Sequence, residues 1–159
     1  MEYSGFPRQD ATRVLIMTRV FAATRALVWQ AWTDASQAQR WMGPRGFSAS
    51  HLQSELRPGG AWRACLRRDD DGKALWQGGI YLEVVAPERL AFSFAWDDAN
   101  QRRGHETRIT LSFSEQQGET TLGFRQEMFE TVEQRDAHQQ GWNSAFDRLA
   151  EHLMNIQTP

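Results

Sequence analysis

The sequence predicts an α+β fold in which a curved antiparallel β-sheet of about six to seven strands grips one long C-terminal helix. Three observations predict it. Between Phe47 and Met128 the apolar residues recur with period two in short segments separated by Gly-, Pro-, Asp- or Gln-rich turns, the pattern of hairpin-connected strands. Hairpins build an antiparallel sheet, and such a sheet buries one face against a cover. The late element large enough to supply that cover is residues 131–154. There Trp142, Ala145, Phe146, Leu149 and Leu153 recur at three- and four-residue steps on one helical face.

Taken in order, residues 1–11 are polar with Gly5 and Pro7 and read as a flexible tail, and residues 12–159 read as a single domain. Residues 12–21 form a strand rich in β-branched and apolar side chains. Thr24 caps a helix carrying Leu27, Val28, Ala31 and Trp32. Asp34 or Ser36 starts a second short helix that runs to Met42, and Gly43-Pro44-Arg45-Gly46 stops it. Strands are expected at 47–56, 61–68, 76–85, 89–96, 106–114 and 120–128. Arg57-Pro58-Gly59-Gly60 is a tight turn that needs a positive φ at one of its glycines. Asp69-Asp70-Asp71-Gly72-Lys73 is a hairpin tip that lacks the remaining ligands of a calcium loop. Strand 89–96 alternates Leu90, Phe92, Phe94 and Trp96, giving one heavily aromatic face, and in strand 120–128 Leu122, Phe124, Gln126 and Met128 share a parity. The last helix is uneven. From Glu130 to Gln140 only Val132 and Ala137 are apolar, so hydrophobic burial does not hold that half, which suits it to flank an opening. Thr131 with Gln134 forms its capping box, and Glu133 suits the positive end of the helix dipole.

Composition narrows the function classes. A net charge of -2 without any basic run argues against nucleic acid and anionic membranes as partners. The single cysteine, Cys65, excludes an internal disulfide framework and suits the cytoplasm. The start of the chain carries neither a signal-peptide pattern nor an apolar run long enough to span a bilayer. Seven Trp and nine Phe concentrate the apolar area in a few large rings, which fill a core or line a pocket. No GxSxG or HExxH motif is present, and His51, His105, His138 and His152 are dispersed without a repeated ligand spacing, so no catalytic residue, metal or cofactor is assigned.

The segments RVFAATRALVWQAWTDASQAQRWMGPRGF, LRPGGAWRA, GGIYLEVVAPERLAFSFAW and HQQGWNSAFDRLAEHL, in this order, resemble the START-like helix-grip superfamily (SRPBCC), in the branch named after the activator of the heat-shock-chaperone ATPase. The resemblance extends from about Thr18 to Leu153. It implies a cavity between sheet and helix, in a superfamily whose members bind varied hydrophobic small molecules or have no known ligand. Thr24 stands where the family often has proline, and Gln126 where many members carry histidine.

Candidate ligand-binding residues follow from both readings. Trp142 sits mid-helix beside Gly141, whose missing side chain admits a strand or leaves room for a ligand. His138 lies one turn earlier on the same face and offers a hydrogen-bonding group inside a cavity. Trp62, Phe92, Phe94, Trp96 and Met128 are candidates for the concave wall, and Trp41 and Phe47 for the mouth. The expected function is binding of an apolar or amphipathic small molecule. The alternatives are a cyclase-, dehydratase- or hydrolase-like enzyme working around His138 or Arg63, and a co-chaperone of the stress response that stimulates a chaperone ATPase. The expected partners are therefore a hydrophobic small molecule, a chaperone and a second copy of the chain as a homodimer.

Overall fold

A computed structural model describes residues 11–158. The tail expected at 1–11 lies outside them except for Ala11, which belongs to a 3-10 turn at Ala11–Arg13. The order that follows is β1 (Leu15–Phe21), α1 (Arg25–Thr33), α2 (Ala35–Trp41), β2 (Phe47–Ser54), β3 (Ala61–Arg68), β4 (Ala74–Val85), β5 (Arg89–Trp96), β6 (Thr107–Gln116), β7 (Glu119–Glu127) and α3 (Val132–Gln157). The seven strands form one curled antiparallel sheet in the order β1-β7-β6-β5-β4-β3-β2. The expected fold class is thus the observed one. Residues 12–14, expected to open β1, instead close the 3-10 turn, because the ladder with β7 begins at Leu15 opposite Gln126.

The chain crosses from one sheet edge to the other between β1 and β2, and α1 and α2 make that crossing. Thr24 Oγ1 accepts from the Leu27 N–H at 3.4 Å, and Asp34 Oδ1 accepts from the Ser36 N–H at 3.0 Å, so each short helix has a side-chain cap. Register shifts between Ser50 and Gln53, where His51 has φ 53°, and between Tyr81 and Glu83 add the local twist that curls a sheet. In the 57–60 turn Gly59 takes the positive φ, 85°, while Gly60 is needed for space: a Cβ there would lie 2.0 Å from the Glu55 carbonyl oxygen.

The helix α3 crosses the concave face, rising about 1.5 Å per residue. Thr131 Oγ1 accepts from the Gln134 N–H at 3.1 Å and caps it. Its buried residues, Ala145, Phe146, Leu149, His152 and Leu153, all lie in the C-terminal half. They close on Phe21, Leu122 and Phe124 of the sheet; Phe146 meets Phe21 and Phe124 edge-on at 6.4 and 5.6 Å. Arg148 fastens the connection after α2 to the same helix. Its Nη1 donates to the Gly43 and Phe47 carbonyls at 2.8 and 3.1 Å and reaches those of Pro44 and Met42 at 3.3 and 3.4 Å. Among the described residues no helix is long and apolar enough to cross a membrane.

Candidate ligand cavity

Because the core closes only under the C-terminal half of α3, the space beneath its N-terminal half stays open as a cavity of about 570 Å3. Trp62 of β3, Gln77 and Tyr81 of β4, and Phe92, Phe94 and Trp96 of β5 form its floor. His138, Gly141 and Trp142 form the roof, with Trp32 and Phe47 at the side. The exposed members of the lining, Asp98, His105, Glu130, Gln134 and Ala137, mark the open side. A Cβ added at Gly141 would meet nothing within 4 Å, so this glycine leaves room rather than admitting a strand.

Two packing details shape the floor. The Trp62 indole crosses β4 and donates to the Ser93 carbonyl at 3.0 Å; a Cβ at Gly79 would lie 1.9 Å from that oxygen and 2.8 Å from the indole nitrogen. Glycine at 79 is what lets the ring lie flat across the sheet. Phe94 then meets Trp96 and His138 edge-on, each at 5.5 Å.

A polar network runs from floor to roof. Thr107 Oγ1 donates to the Phe94 carbonyl at 3.2 Å and accepts from Gln126 Nε2 at 2.8 Å. Gln126 Oε1 accepts from the Trp142 indole at 3.0 Å and lies 3.2 Å from His138 Nδ1, while the Trp96 indole donates to His138 Nε2 at 3.1 Å. An indole N–H only donates, so the Trp142 bond orients the amide of Gln126 and the Trp96 bond requires a bare Nε2. His138 is therefore the neutral Nδ1–H tautomer, donating to Gln126. Burial pushes its pKa down to about 4. Burial likewise raises the pKa of Tyr81.

Of the residues expected at a site, Phe47, Trp62, Phe92 and Phe94 line the cavity together with Trp96, His138 and Trp142. Two do not. Trp41 is fully buried beneath α1 and α2, where its indole donates to the Ala31 carbonyl at 3.0 Å and its ring meets Trp32 at 4.7 Å. Met128, expected on the concave wall by parity, is 47% exposed: β7 ends at Glu127, and φ 74° at Met128 breaks the alternation and turns the side chain out. Its carbonyl accepts from His105 Nε2 at 2.6 Å. Arg63 also lies off the cavity, held by Asp97 at 2.5 and 3.2 Å and stacked 4.9 Å over Trp76.

Sequence reasoning passed over Gln77, Trp32, Tyr81 and Phe129, which all line the cavity. The available signal was parity: Gln77 and Tyr81 share a face of β4, and only that face of the strand offers polar groups inward. Among the described residues no three His, Cys, Asp or Glu side chains gather in a metal-binding group.

The family model described as Activator of Hsp90 ATPase homolog 1-like protein matches residues 22–154 of the chain. No curated protein matches it. Among solved structures, a Chromobacterium violaceum protein is 25% identical with a TM-score of 0.82, over 89% of this chain and 96% of that one. A Nitrosomonas europaea protein is 25% identical with a TM-score of 0.78, over 93% and 98%. A Silicibacter pomeroyi protein at 24% identity has a TM-score of 0.81 over 90% and 99%, a likeness of fold.

Proposed function

The chain belongs to the family of Activator of Hsp90 ATPase homolog 1-like proteins, and from that premise we propose that it binds an apolar or amphipathic small molecule in the cavity between its sheet and α3. The observation that carries the reading is a space of about 570 Å3 walled by aromatic rings that the protein's own side chains leave unfilled. An apolar wall with a few placed polar groups is what small-molecule sites present. The two groups on which an enzymatic reading rested do not favour it: both ring nitrogens of His138 are engaged, and Arg63 lies outside the lining.

N-Phenyl-1-naphthylamine, an environment-sensitive apolar dye, tests the proposal. It is expected to bind one site per chain and to quench tryptophan emission, and Trp142→Ala is expected to alter that binding. Removing a large buried ring costs about 3–5 kcal/mol, so Leu111→Ala, a core truncation away from the lining, controls for partial unfolding. Equal loss of dye binding in both variants, or several weak sites in the parent, overturns the reading. Native mass spectrometry of freshly purified protein names a retained ligand and, in the same spectrum, tests the homodimer.

The family's description favours a second reading, stimulation of a chaperone ATPase in a stress response. An ATPase assay with the cognate chaperone tests it, and no stimulation removes it. A cytoplasmic location belongs to the same proposal and rests on the lone, buried Cys65.

A further inference from the structure

The charge of the cavity wall already restricts what enters it. Asp97, Asp98 and Glu130 belong to the lining, and no Lys or Arg does. Two guanidiniums beside lining residues are taken up by the protein itself: Arg63 pairs with Asp97 and stacks on Trp76, and Arg148 donates to the Gly43 and Phe47 carbonyls. An anionic head group carried inside thus meets carboxylates at the open side and no cation to receive it, and a buried unpaired charge is strongly unfavourable.

The polar groups of the wall restrict it further. The His138–Gln126–Thr107 network is satisfied internally and asks nothing of a ligand. Gln77 differs. It is 3% exposed, it lines the cavity, and its amide makes no hydrogen bond with any described residue. Buried amides in native proteins almost always have partners, so each exception calls for a reason. Among the described residues the one sealed polar side-chain atom without a partner is Trp32 Nε1. The Gln77 amide, equally unpartnered, is not sealed and so faces the cavity space. Its register explains the access: Gln77 stands between Ala64 on β3 and Trp96 on β5, and the small Ala64 side chain leaves the amide uncovered on that side.

We propose that Gln77 is the polar anchor of the cavity and that the ligand is a neutral, flat aromatic molecule bearing an amide-type edge, a hydrogen-bond donor next to an acceptor. A glutamine amide pairs with such an edge through two bonds at once, as it does with the edge of adenine. Flat walls suit a flat body: Trp96 is the cross-strand neighbour of Gln77, and elsewhere in the lining Trp32 and Trp142 stack on each other at 5.8 Å with 29° between their planes. The buried Trp32 N–H still lacks an acceptor, which a ligand carbonyl that shifts this ring would supply. The inference rests on the cavity binding small molecules and adds which ones.

Three isosteric probes separate the two claims: 2-naphthamide, 2-naphthoate and 2-isopropylnaphthalene, measured by calorimetry on the parent and on Gln77→Met, whose side chain keeps the length but loses the amide. The parent is expected to bind 2-naphthamide at least about tenfold more tightly than 2-naphthoate. Gln77→Met is expected to weaken 2-naphthamide by about tenfold and to leave 2-isopropylnaphthalene within about twofold of the parent. If both probes weaken together, or the amide does not weaken, the Gln77 anchor is wrong while the cavity reading stands on the binding of 2-isopropylnaphthalene. If none of the probes binds the parent but N-phenyl-1-naphthylamine does, the anchor alone falls; if the dye also fails, both fall. A measurement without any variant guards against misfolding of Gln77→Met: bound 2-naphthamide is expected to show nuclear Overhauser contacts to the Gln77 side-chain amide protons, and their absence overturns the anchor.

Discussion

Acidification is expected to weaken this fold through His138. Its imidazole titrates near 4 when folded and near 6.5 when unfolded, because burial disfavours the charged form. The geometry gives the same direction, since the second proton would have to enter at Nε2, where the Trp96 indole already donates. Well above pH 6.5 neither state holds the proton and His138 makes no difference to the pH dependence. As the pH falls below that value the unfolded chain takes up a proton that the folded chain refuses, and stability drops until about pH 4. At about pH 5 the unfolded imidazole is protonated roughly thirtyfold over and the folded one only about a tenth, a difference of about 2 kcal/mol out of about 3 kcal/mol in full. Urea titrations at about pH 7.5 and pH 5, on the parent and on His138→Gln, isolate the effect, because the carboxylates and His152, also lowered by burial, are common to both. The parent is expected to lose about 2 kcal/mol more than the variant between the two conditions. Equal losses, or a His138 titration by NMR centred at or above about 6.5, would refute the assignment of a neutral, doubly engaged ring.

Gly60→Ala places a Cβ against the Glu55 carbonyl and is expected to cost about 1–3 kcal/mol, whereas Gly59→Ala meets nothing within 4 Å and costs about 1 kcal/mol of backbone strain; equal melting temperatures would contradict this. Trp142→Phe keeps a ring against Phe124 and Trp32 but withdraws one donor from Gln126, and a loss of about 1 kcal/mol in urea unfolding is expected. Arg148→Lys replaces a fork that serves several carbonyls by a point charge. Faster amide exchange confined to residues 43–47 is the expected result, and unchanged protection there would show that the fork does not hold the connection.

The fold was legible because its signals are local and periodic. The predicted caps Thr24 and Thr131 accept the bonds expected of them, Asp34 proves to be the cap of the second helix, and strands 61–68 and 89–96 carry their predicted limits. The wall of the cavity was legible only in part. Alternation identifies which rings share a face, so Phe92, Phe94 and Trp96 were found together, yet it fails wherever φ changes sign, as at Met128. Trp41 was misplaced for another reason: proximity in sequence to a Gly-Pro break says nothing about which side of a short helix points inward. Gln126 shows the limit most clearly. Its departure from the family's histidine marked the position, but its bonds to Thr107, Trp142 and His138 join β6, β7 and α3, and no spacing along the chain reports such a meeting.

The division of α3 has a consequence for how this protein can change over generations. The fully buried residues of the helix begin at Ala145, and before it only Trp142 packs on the core while Gln134, Ala137, His138 and Gly141 line the cavity. Substitutions at the more open lining positions Gln134, Ala137 and Gly141 are filtered mainly by what the cavity must hold, since changes away from packed features move stability by only about 0.5 kcal/mol. A lineage can thus retune one half of a single helix for a new ligand while the other half preserves the architecture, with selection for binding and selection for folding acting on adjacent turns of the same element.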